Sequence, residues 1–548
     1  MRAIGIQSLS LISFLILASV SRAEPESGIN EQDLKLIHVG QGLPLNPIKR
    51  TAPTLRQGVE MATKLTVAGQ GAKILLSPGI YREQVTFDYP ESLKTAGTLV
   101  IEASQAGAST ITGADVFTGW TPSTQYPGSF EHAWNLGWVP VKNPWRDQFG
   151  GGDPAAAMKR FPDFLKELFL VNGRLLKQAV SADKLISGSF WIDRPGKKVV
   201  LMPFSGTAIQ TALVEGAVRP PETQYFSLLK GYKVRNIVLR GLVFTCAAEP
   251  VGGACTLVGR DFLVENCRFE KNAGIGLDVS GDNVTVRQVS ACDNGHIGIG
   301  GGSGTNWLLE DVTLRNNAWK VHDLGYSDWS QAGIKLGDCN HLTIRRLRSE
   351  NNKSHGVWLD CWCHDTQVDG VVSQGNQGAG IDYEISKNVV ARRLLLTGNK
   401  YGWFSYDGQN VRIEDSVIAD NDGPQIYTQN TGRRNQGENF DCVHWMLANT
   451  YVAAKPGNRH LLWDEFPHSP QKIDGSKTMA ALLPSLYLEN CCFYHPEGDG
   501  FRAGDGRNLT LAETLSIVTG KGALWSSTGL EWAVARLNSL EVKTPSGY

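Results

Sequence analysis

The feature that most restricts the fold is a repeat in the second half of the sequence. From about residue 235, short runs of Val, Ile and Leu end in an Asn, and a Gly and another short run follow. The repeated residues are Asn272, Asn294, Asn317, Asn352, Asn376, Asn399 and Asn421. Their spacings are 22, 23, 35, 24, 23 and 22 residues, so one step is about a dozen residues longer than the others. A nearly constant period of this length indicates one structural coil per repeat.

These coils contain strands and turns but no helical segment between strands, which excludes a leucine-rich repeat and a Rossmann-like sheet. The sequence therefore predicts an all-β protein built on a single-stranded right-handed parallel β-helix. An Asn amide can hydrogen-bond the equivalent Asn one coil away, and Asn tolerates the left-handed turn that redirects the chain. We interpret the repeated Asn residues as a structural ladder rather than as a functional site.

The rest of the chain is divided around this repeat. An apolar run between Leu9 and Val20 follows Arg2, and small residues around Ala23 predict that a signal peptide is cleaved there. The period is lost between about 117 and 222, where β-like runs and hairpin-like turns predict a β-rich insertion among the early coils. The predicted segments are a signal peptide at 1–23, an N-terminal cap and first coils at 24–116, the insertion at 117–222, the main β-helix with the active site at 223–500, and a C-terminal cap at 501–548.

Composition and charge narrow the class of partner. The signal run is short for a membrane span and is interrupted by serines, so we expect a secreted or periplasmic protein with no membrane span after cleavage. The formal net charge of -1 gives no reason to expect binding to nucleic acid. The 10 Cys fit an oxidising compartment, and Cys339 lies one coil before Cys361 and Cys363, where a disulfide bridge could form.

One face of the coils carries an unusual set of side chains. Each strand begins at a Gly that follows the repeated Asn, for example Gly274 and Gly298. Counted from this Gly, the second and fourth residues of the strands are mostly apolar. Because successive strand residues point to opposite sides, the third and fifth residues then face outward. Across four consecutive strands this outward set is Lys335, Trp358, Asp360, Asp382, Glu384, Phe404 and Tyr406. A solvated strand would carry scattered Thr, Lys and Ser, so we interpret this patch as functional.

Asp360 and Glu384 occupy the same position on adjacent coils. Adjacent strands lie about 4.8 Å apart, so the two carboxyl groups should be about 5 Å apart. This separation is typical of retaining glycosidases, in which one carboxylate attacks the anomeric carbon and the other carboxyl group protonates the leaving oxygen. The predicted substrate contacts are Trp358, Phe404 and Tyr406, which would stack on the sugar, and Lys335 and Asp382, which would hold hydroxyl groups.

The long step of the repeat adds residues 319–329 just before the strand that carries Lys335. An excursion at this place would overhang the outward patch and form one wall of a pocket. Its candidate sugar contacts are Trp319, His322 and Trp329. For His322, a structural role is an equally good interpretation.

At these residues the sequence resembles a known family. Gly356-Val-Trp-Leu-Asp360 and Gly380-Ile-Asp-Tyr-Glu384 are similar to the paired motifs of pectin-lyase-like β-helix glycosidases, above all the β-xylosidases of glycoside hydrolase family 120. In that family the first motif supplies the nucleophile and the second the acid/base, so the resemblance implies these roles for Asp360 and Glu384. The family also carries a β-sandwich among its early coils. The implied function is a secreted, retaining, xylosidase-like glycoside hydrolase whose partner is an oligo- or polysaccharide from plants or algae.

Two other functions stay open on the sequence. A polysaccharide lyase or C5-epimerase acting on uronates would use Lys335 as its base, helped by Arg345 or Arg346, and often needs Ca²⁺. The carboxylates of the patch would repel such an anionic substrate. A non-catalytic glycan-binding β-helix would not need two carboxylates so close together. We expect no cofactor, and the alternative is Ca²⁺ bound by oxygens of the Asp360, Asp382 and Glu384 carboxylates.

Overall fold

The computed structural model describes residues 31–525, except 32, 139, 144–145, 148–150, 152, 161, 220–226, 326–329, 432–433, 436–437, 440–441, 443, 455–459, 466–485, 496–499, 503–507 and 522–523. The predicted signal peptide at 1–23 and the end of the predicted C-terminal cap at 526–548 lie outside the described residues. The chain forms a right-handed parallel β-helix, and most of its strands belong to one 32-stranded sheet. The predicted fold class is confirmed.

Each coil has three faces. In the coil that begins at His355, the strand His355–Asp360 lies on the first face. The strand His364–Gln374 then covers the second and third faces and bends at Gly370, whose φ of 69° is in the left-handed region. Each strand pairs in parallel with the equivalent strands of the coils before and after it. Equivalent residues therefore form columns that run along each face.

The strands follow one another regularly along the chain. The first coils contain the strands Lys35–Val39, Thr51–Ala52, Ala72–Leu76, Gly79–Tyr81, Val85–Asp88, Leu99–Ala103 and Ser109–Thr112. The central coils contain Leu229–Arg240, Leu242–Thr245, Gly253–Glu265, Arg268–Glu270, Ile275–Cys292, Ile297–Arg315, Ala332–Glu350, His355–Asp360, His364–Gln374, Ala379–Glu384, Lys387–Arg392, Leu395–Thr397, Tyr401–Tyr406, Gln409–Glu414 and Val417–Ala419. The last coils contain Ile426–Gln429, Trp445–Ala448, Tyr451–Ala453, Leu462–Glu465, Leu486–Glu489, Cys492–Tyr494, Phe501–Arg502, Asn508–Leu509, Thr519–Lys521 and Leu524–Trp525, and Arg434–Asn435 pairs with Glu438–Asn439 in a separate hairpin.

Short helices lie at the ends and turns of the coils. The helix Leu55–Val67 begins at Thr54, whose hydroxyl accepts the backbone N–H of Gln57 at 3.3 Å and so caps the first turn. Leu55, Val59 and Ala62 form its buried side, which packs on the first coils. The other helices are Pro154–Arg160, Trp319–Asp323 and Leu511–Ile517, and Ala182–Lys184 forms a single 3₁₀ turn.

The segment between the early and central coils folds into two small sheets. One sheet has the strand order Lys177–Gln178, Ser189–Asp193, Lys198–Met202, Phe130–Ala133 and Thr121–Pro122. The other has the order Arg174–Leu175, Phe169–Val171, Val214–Ala217 and Ala114–Val116. Their shared core includes Trp134, Phe169 and Phe190, and it also takes in Ala248 and Ala273 from the coils. The insertion is therefore packed directly on the β-helix.

The predicted Asn ladder is present. The amide of each repeated Asn donates to the side-chain oxygen of the next, for example Asn352 to Asn376 at 2.9 Å and Asn376 to Asn399 at 2.8 Å. The bond between Asn317 and Asn352 spans the long step at 3.0 Å, so the extra residues leave the stack of coils intact. From the sequence, the ladder Asn itself was expected to take the left-handed conformation. In the structure the residue before it does so, for example Asn351 with φ 55°. The ladder amide must point into the core, and its neighbour makes the turn.

The register of the first face agrees with the sequence alignment from Gly298 onward but not at Gly274. Asp278 lies opposite Gly300, two positions from where the alignment on Gly274 placed it, and therefore shares a column with Lys335. Apolar second and fourth residues such as Leu359 and Ile381 are fully buried in the core. The alternation that separates inward from outward side chains is thus the observed one.

Candidate active site

Consecutive coils place the predicted residues in two neighbouring columns of the first face. In the first column, Lys335 lies opposite Trp358, Trp358 opposite Asp382, and Asp382 opposite Phe404. The next residue along this column is Tyr427. Since adjacent parallel strands are about 4.8 Å apart, side chains of one column contact each other.

The second column carries the two carboxyl groups on which the proposed chemistry depends. Leu359 and Tyr383 are register partners on adjacent strands. Asp360 directly follows Leu359 and Glu384 directly follows Tyr383, so the two acids occupy equivalent positions. Glu384 lies opposite Tyr406 on the following strand. Asp360 is 4% exposed and Glu384 is 9% exposed, so both carboxyl groups are largely removed from bulk water.

Asp360 is held by a lysine of the preceding coil. The Lys335 ammonium lies 2.8 Å from Oδ2 of Asp360, and both side chains are largely buried. A buried carboxylate is costly unless a positive charge compensates it. Lys335 is therefore the counter-ion of Asp360.

Trp358 connects this ion pair to Glu384. The Lys335 ammonium lies 3.3 Å from the centroid of the indole ring, and the indole N–H donates to Oε2 of Glu384 at 2.9 Å. The His355 ring lies against the same indole at a centroid distance of 4.7 Å. Trp358 is only 6% exposed, so it offers little of the sugar-stacking surface that the sequence predicted for it.

The thiol of Cys361 is close to both carboxyl groups. Burial raises the pKa of this thiol to about 12, and the negative charges of Asp360 and Glu384 add to the effect. The thiol therefore stays protonated at neutral pH.

Asp382 lies deeper than the other two carboxyl groups, with 1% of its surface exposed. Its Oδ2 is 3.4 Å from Nδ1 of His355. Burial, together with the positive charges of Lys335 and Lys400, lowers the pKa of His355 to about 3, so the imidazole is neutral. Nδ1 also accepts the backbone N–H of Ala379 at 3.2 Å, which places the imidazole proton on Nε2. The depth of Asp382 favours a supporting role over direct contact with a hydroxyl group.

The aromatic residues of the next coil are half-buried and stack on one another. Phe404 lies 6.0 Å from Tyr406 and 5.1 Å from Tyr427 between ring centroids, both in stacked orientation. Tyr401 is 5.1 Å from Tyr427. Because neighbouring rings already cover part of their faces, Phe404 and Tyr406 have less free ring face for sugar stacking than the sequence predicted.

The described residues of the long step, 319–325, lie against the insertion. The indole N–H of Trp319 donates to the carbonyl of Asp293 at 2.8 Å, and its ring packs on the core of the insertion. His322 is exposed, and its Nδ1 lies 3.1 Å from the Asp323 carboxylate. These contacts are structural. In the described part of the chain, neither residue contacts Lys335, Asp360 or Glu384. Trp329 lies outside the described residues.

A bulge that sequence reasoning missed follows Asp360. Asp360 and His364 are four positions apart, whereas the equivalent residues Glu384 and Lys387 are three apart. The additional residue is accommodated by two successive left-handed residues, Cys361 with φ 46° and Trp362 with φ 79°. Side chains of this kind pay about 1 kcal/mol or more for such a conformation, and strained backbone of this kind clusters at functional sites. The one-residue difference in spacing is the sequence signal that could have revealed the bulge. No comparable signal marked His355, one residue before the Gly of the motif, as part of the site.

The expected disulfide is not formed, and the ten cysteines are free thiols. Cys339 and Cys363 are both buried on adjacent coils, and a hydrogen bond of the Cys339 thiol with Cys363, together with burial, raises the pKa of Cys339 well above its usual value. The Cys363 thiol also donates to the carbonyl of Asp360 at 3.4 Å. Cys361 lies on the bulge, where much of the residue is exposed while its thiol is partly buried beside the carboxyl groups.

Comparisons with known proteins agree with this fold. A family model described as right handed beta helix region matches residues 252–436. No curated protein matches the sequence. Among solved structures, the complex of XylC with xylose is 15% identical and covers 84% of this chain and 84% of its own, with a TM-score of 0.55. At this identity the likeness shows a shared fold.

Other similar structures are more distant. The A-module of mannuronan C-5 epimerase AlgE4 from Azotobacter vinelandii is 10% identical, with 89% of this chain and 100% of that chain covered and a TM-score of 0.48. A structure described as a glycoside hydrolase is 12% identical, with 80% and 97% covered and a TM-score of 0.43.

Two further observations concern the partners of the protein. Within residues 31–525, outside the gaps given above, no helix is both long and apolar enough to cross a bilayer. In the same residues, no three His, Cys, Asp or Glu side chains are grouped as they would be around a metal ion.

Proposed function

We propose that this protein is a secreted glycoside hydrolase that acts with retention of configuration on an oligo- or polysaccharide of plants or algae. The observation that supports this most is the pair of buried carboxyl groups at equivalent positions of consecutive strands, Asp360 and Glu384. Their surroundings differ in the way that two-step hydrolysis requires. Asp360 is paired with an ammonium group, and Glu384 is bound by a neutral N–H donor.

The proposed reaction uses each carboxyl group twice. In the first step, a carboxylate oxygen of Asp360 attacks the anomeric carbon, the glycosidic C–O bond breaks, and Glu384 gives its proton to the leaving oxygen. In the second step, Glu384 takes a proton from water, the water oxygen attacks the anomeric carbon, and the ester bond to Asp360 breaks. Both carboxyl groups return to their starting state. Lys335 would orient Asp360, and Tyr406 lies where it could contact the sugar.

The test is hydrolysis of a panel of aryl glycosides and of plant and algal polysaccharides by the purified protein. We expect Asp360→Asn and Glu384→Gln to lose about 100-fold or more of the activity while keeping the wild-type circular dichroism. Asp311→Asn is the matched control, because Asp311 is also paired with a cation, Arg346, but lies off the first face. Full turnover of the natural substrate by Asp360→Asn would refute the assignment.

The same assays separate the two alternatives. A lyase or C5-epimerase would require Lys335 as a base, but this ammonium is paired with Asp360. Arg345 and Arg346, the predicted helpers, lie on another face and pair with Glu310. Unsaturated products that absorb in the ultraviolet and are lost with a chelator would favour a lyase. Binding of a glycan without any cleavage would favour a non-catalytic protein.

A further inference from the structure

Trp358 contacts Glu384 directly and is connected to Asp360 through Lys335. Its indole N–H donates to Oε2 of Glu384 at 2.9 Å. Its ring face lies 3.3 Å below the Lys335 ammonium, which in turn is 2.8 Å from Asp360. The side chain is almost fully buried, so these contacts are not diluted by water.

An indole N–H can donate a hydrogen bond but cannot accept one. Oε2 of Glu384 therefore cannot direct a proton toward Trp358, and a hydroxyl at Oε2 would accept the indole N–H less well than a carbonyl oxygen does. When Glu384 is protonated, the proton is favoured on Oε1, the other oxygen. The indole thus decides which oxygen of the carboxyl group can act as the acid.

We infer that Trp358 is a positioning residue that directs the acid/base proton of Glu384 to Oε1 and links the charge of Asp360 to that of Glu384. This inference rests on the proposed hydrolase function. It gives a residue that the sequence marked as a sugar platform a different role, acting through Glu384.

The link to Asp360 passes through Lys335. A cation above an indole ring withdraws electron density and makes the N–H a stronger donor. In the free enzyme, the negative charge of Asp360 offsets part of this effect. Once Asp360 forms an ester with the sugar, that negative charge is gone, and Lys335 acts on the indole alone. The stronger donor then favours the carboxylate form of Glu384, which the second step needs to accept a proton from water.

The kinetic test compares substrates that differ only in their leaving group. Trp358→Phe keeps an aromatic ring beneath Lys335 but removes the N–H. We expect its kcat/KM to fall at least about tenfold more for a poor leaving group, such as an alkyl or sugar alcohol, than for dinitrophenol, which departs without a proton. Trp307→Phe is the matched control, since Trp307 is also buried and its N–H donates to the carbonyl of Gly281 at 2.8 Å, away from the first face.

Equal loss on both kinds of substrate, or no loss, would overturn the inference while leaving the hydrolase function intact. A wild-type protein that cleaves no glycoside would instead refute the proposed function. A measurement without activity completes the test. In the ¹⁵N-labelled protein, the Trp358 indole N–H signal should move with pH as one carboxyl group titrates, and this movement should vanish in Glu384→Gln. A pH-independent Trp358 signal in the wild-type protein would contradict the inference even if the Trp358→Phe variant did not fold.

Discussion

At the scale of single residues, the stability of the site depends on Lys335. Lys335→Met would leave Asp360 buried without its counter-ion, and breaking a buried pair in this way typically costs about 3–5 kcal/mol. We expect the free energy of unfolding, measured by urea denaturation at neutral pH, to fall by about 3 kcal/mol.

Lys387→Met is the control for this prediction. The Lys387 ammonium also lies over an indole, 4.7 Å from the Trp362 centroid, but beside the bulge rather than the carboxylates. Its removal should cost less than about 1 kcal/mol. Equal losses for the two variants would show that Lys335 contributes through packing rather than through charge.

The sequence predicted which residues share the first face but not what each one contacts. Strand alternation and the coil period are fixed by the backbone, so Asp360, Glu384 and Lys335 could be placed together from the sequence. The direction of the Trp358 indole depends on side-chain rotamers and on neighbours from three coils. The aromatic patch was interpreted as a sugar platform because composition shows that rings are present but not which of their faces are covered.

At the scale of elements, the Asn ladder is the main polar support of the stack. The Asn376 amide donates to Asn399 at 2.8 Å and to the Ser349 carbonyl at 3.1 Å, and its oxygen accepts from Asn352 at 2.9 Å. Asn376→Ala would leave these buried groups without partners, at about 1–3 kcal/mol each. We expect thermal unfolding to shift down by several degrees with little change in the far-ultraviolet spectrum of the folded protein.

A second ladder offers the matched control. Left-handed residues between the first and second faces also bond from coil to coil, for example Asn306 to Asn283 at 3.1 Å and Asn283 to Asp261 at 2.7 Å. These side chains are exposed, so water can replace the lost partner. Asn283→Ala should therefore cost less than Asn376→Ala. If the two substitutions cost the same, burial of the ladder would not be the source of its stability.

The inner ladder could be predicted and the outer one could not, although both repeat with the coils. Each inner Asn precedes the step of the chain into the first face, and a Gly follows closely enough to mark the turn. The outer positions accept Asp, Asn or His, as in Asp261, Asn306 and His341, because they require only a left-handed residue at the surface. A position that tolerates several residue types leaves a weaker period in the sequence.

At the scale of the whole molecule, the long step joins the insertion to the β-helix. The helix Trp319–Asp323 places Lys320 in this contact, where its ammonium donates to the carbonyl of Glu167 at 2.8 Å. On the rim, Lys177 lies 3.3 Å from the Asp323 carboxylate. The sequence predicted the excursion and assigned it to a wall of the active site. Spacing alone does not show that its described residues, 319–325, pack on the insertion.

The Lys320 contact makes the stability of the molecule depend on pH. Burial lowers the pKa of Lys320 from 10.5 to about 7, with Glu167 opposing this shift and Arg194 adding to it. Between pH 10.5 and 7 the unfolded chain binds a proton that the folded protein does not, so stability should fall as the pH decreases through this window.

Lys320→Met removes the titrating group. At pH 7 we expect its free energy of unfolding to exceed that of the wild type by about 1 kcal/mol or more, with a correspondingly higher melting temperature. Both quantities should vary less between pH 7 and 10 than in the wild type. Lys177→Met, which changes an exposed lysine of the same contact, should keep the wild-type pH dependence. A Lys320→Met variant with an unchanged slope would mean that Lys320 is charged in the folded protein, and that the insertion is held by an ion pair with Glu167 rather than by a neutral amine.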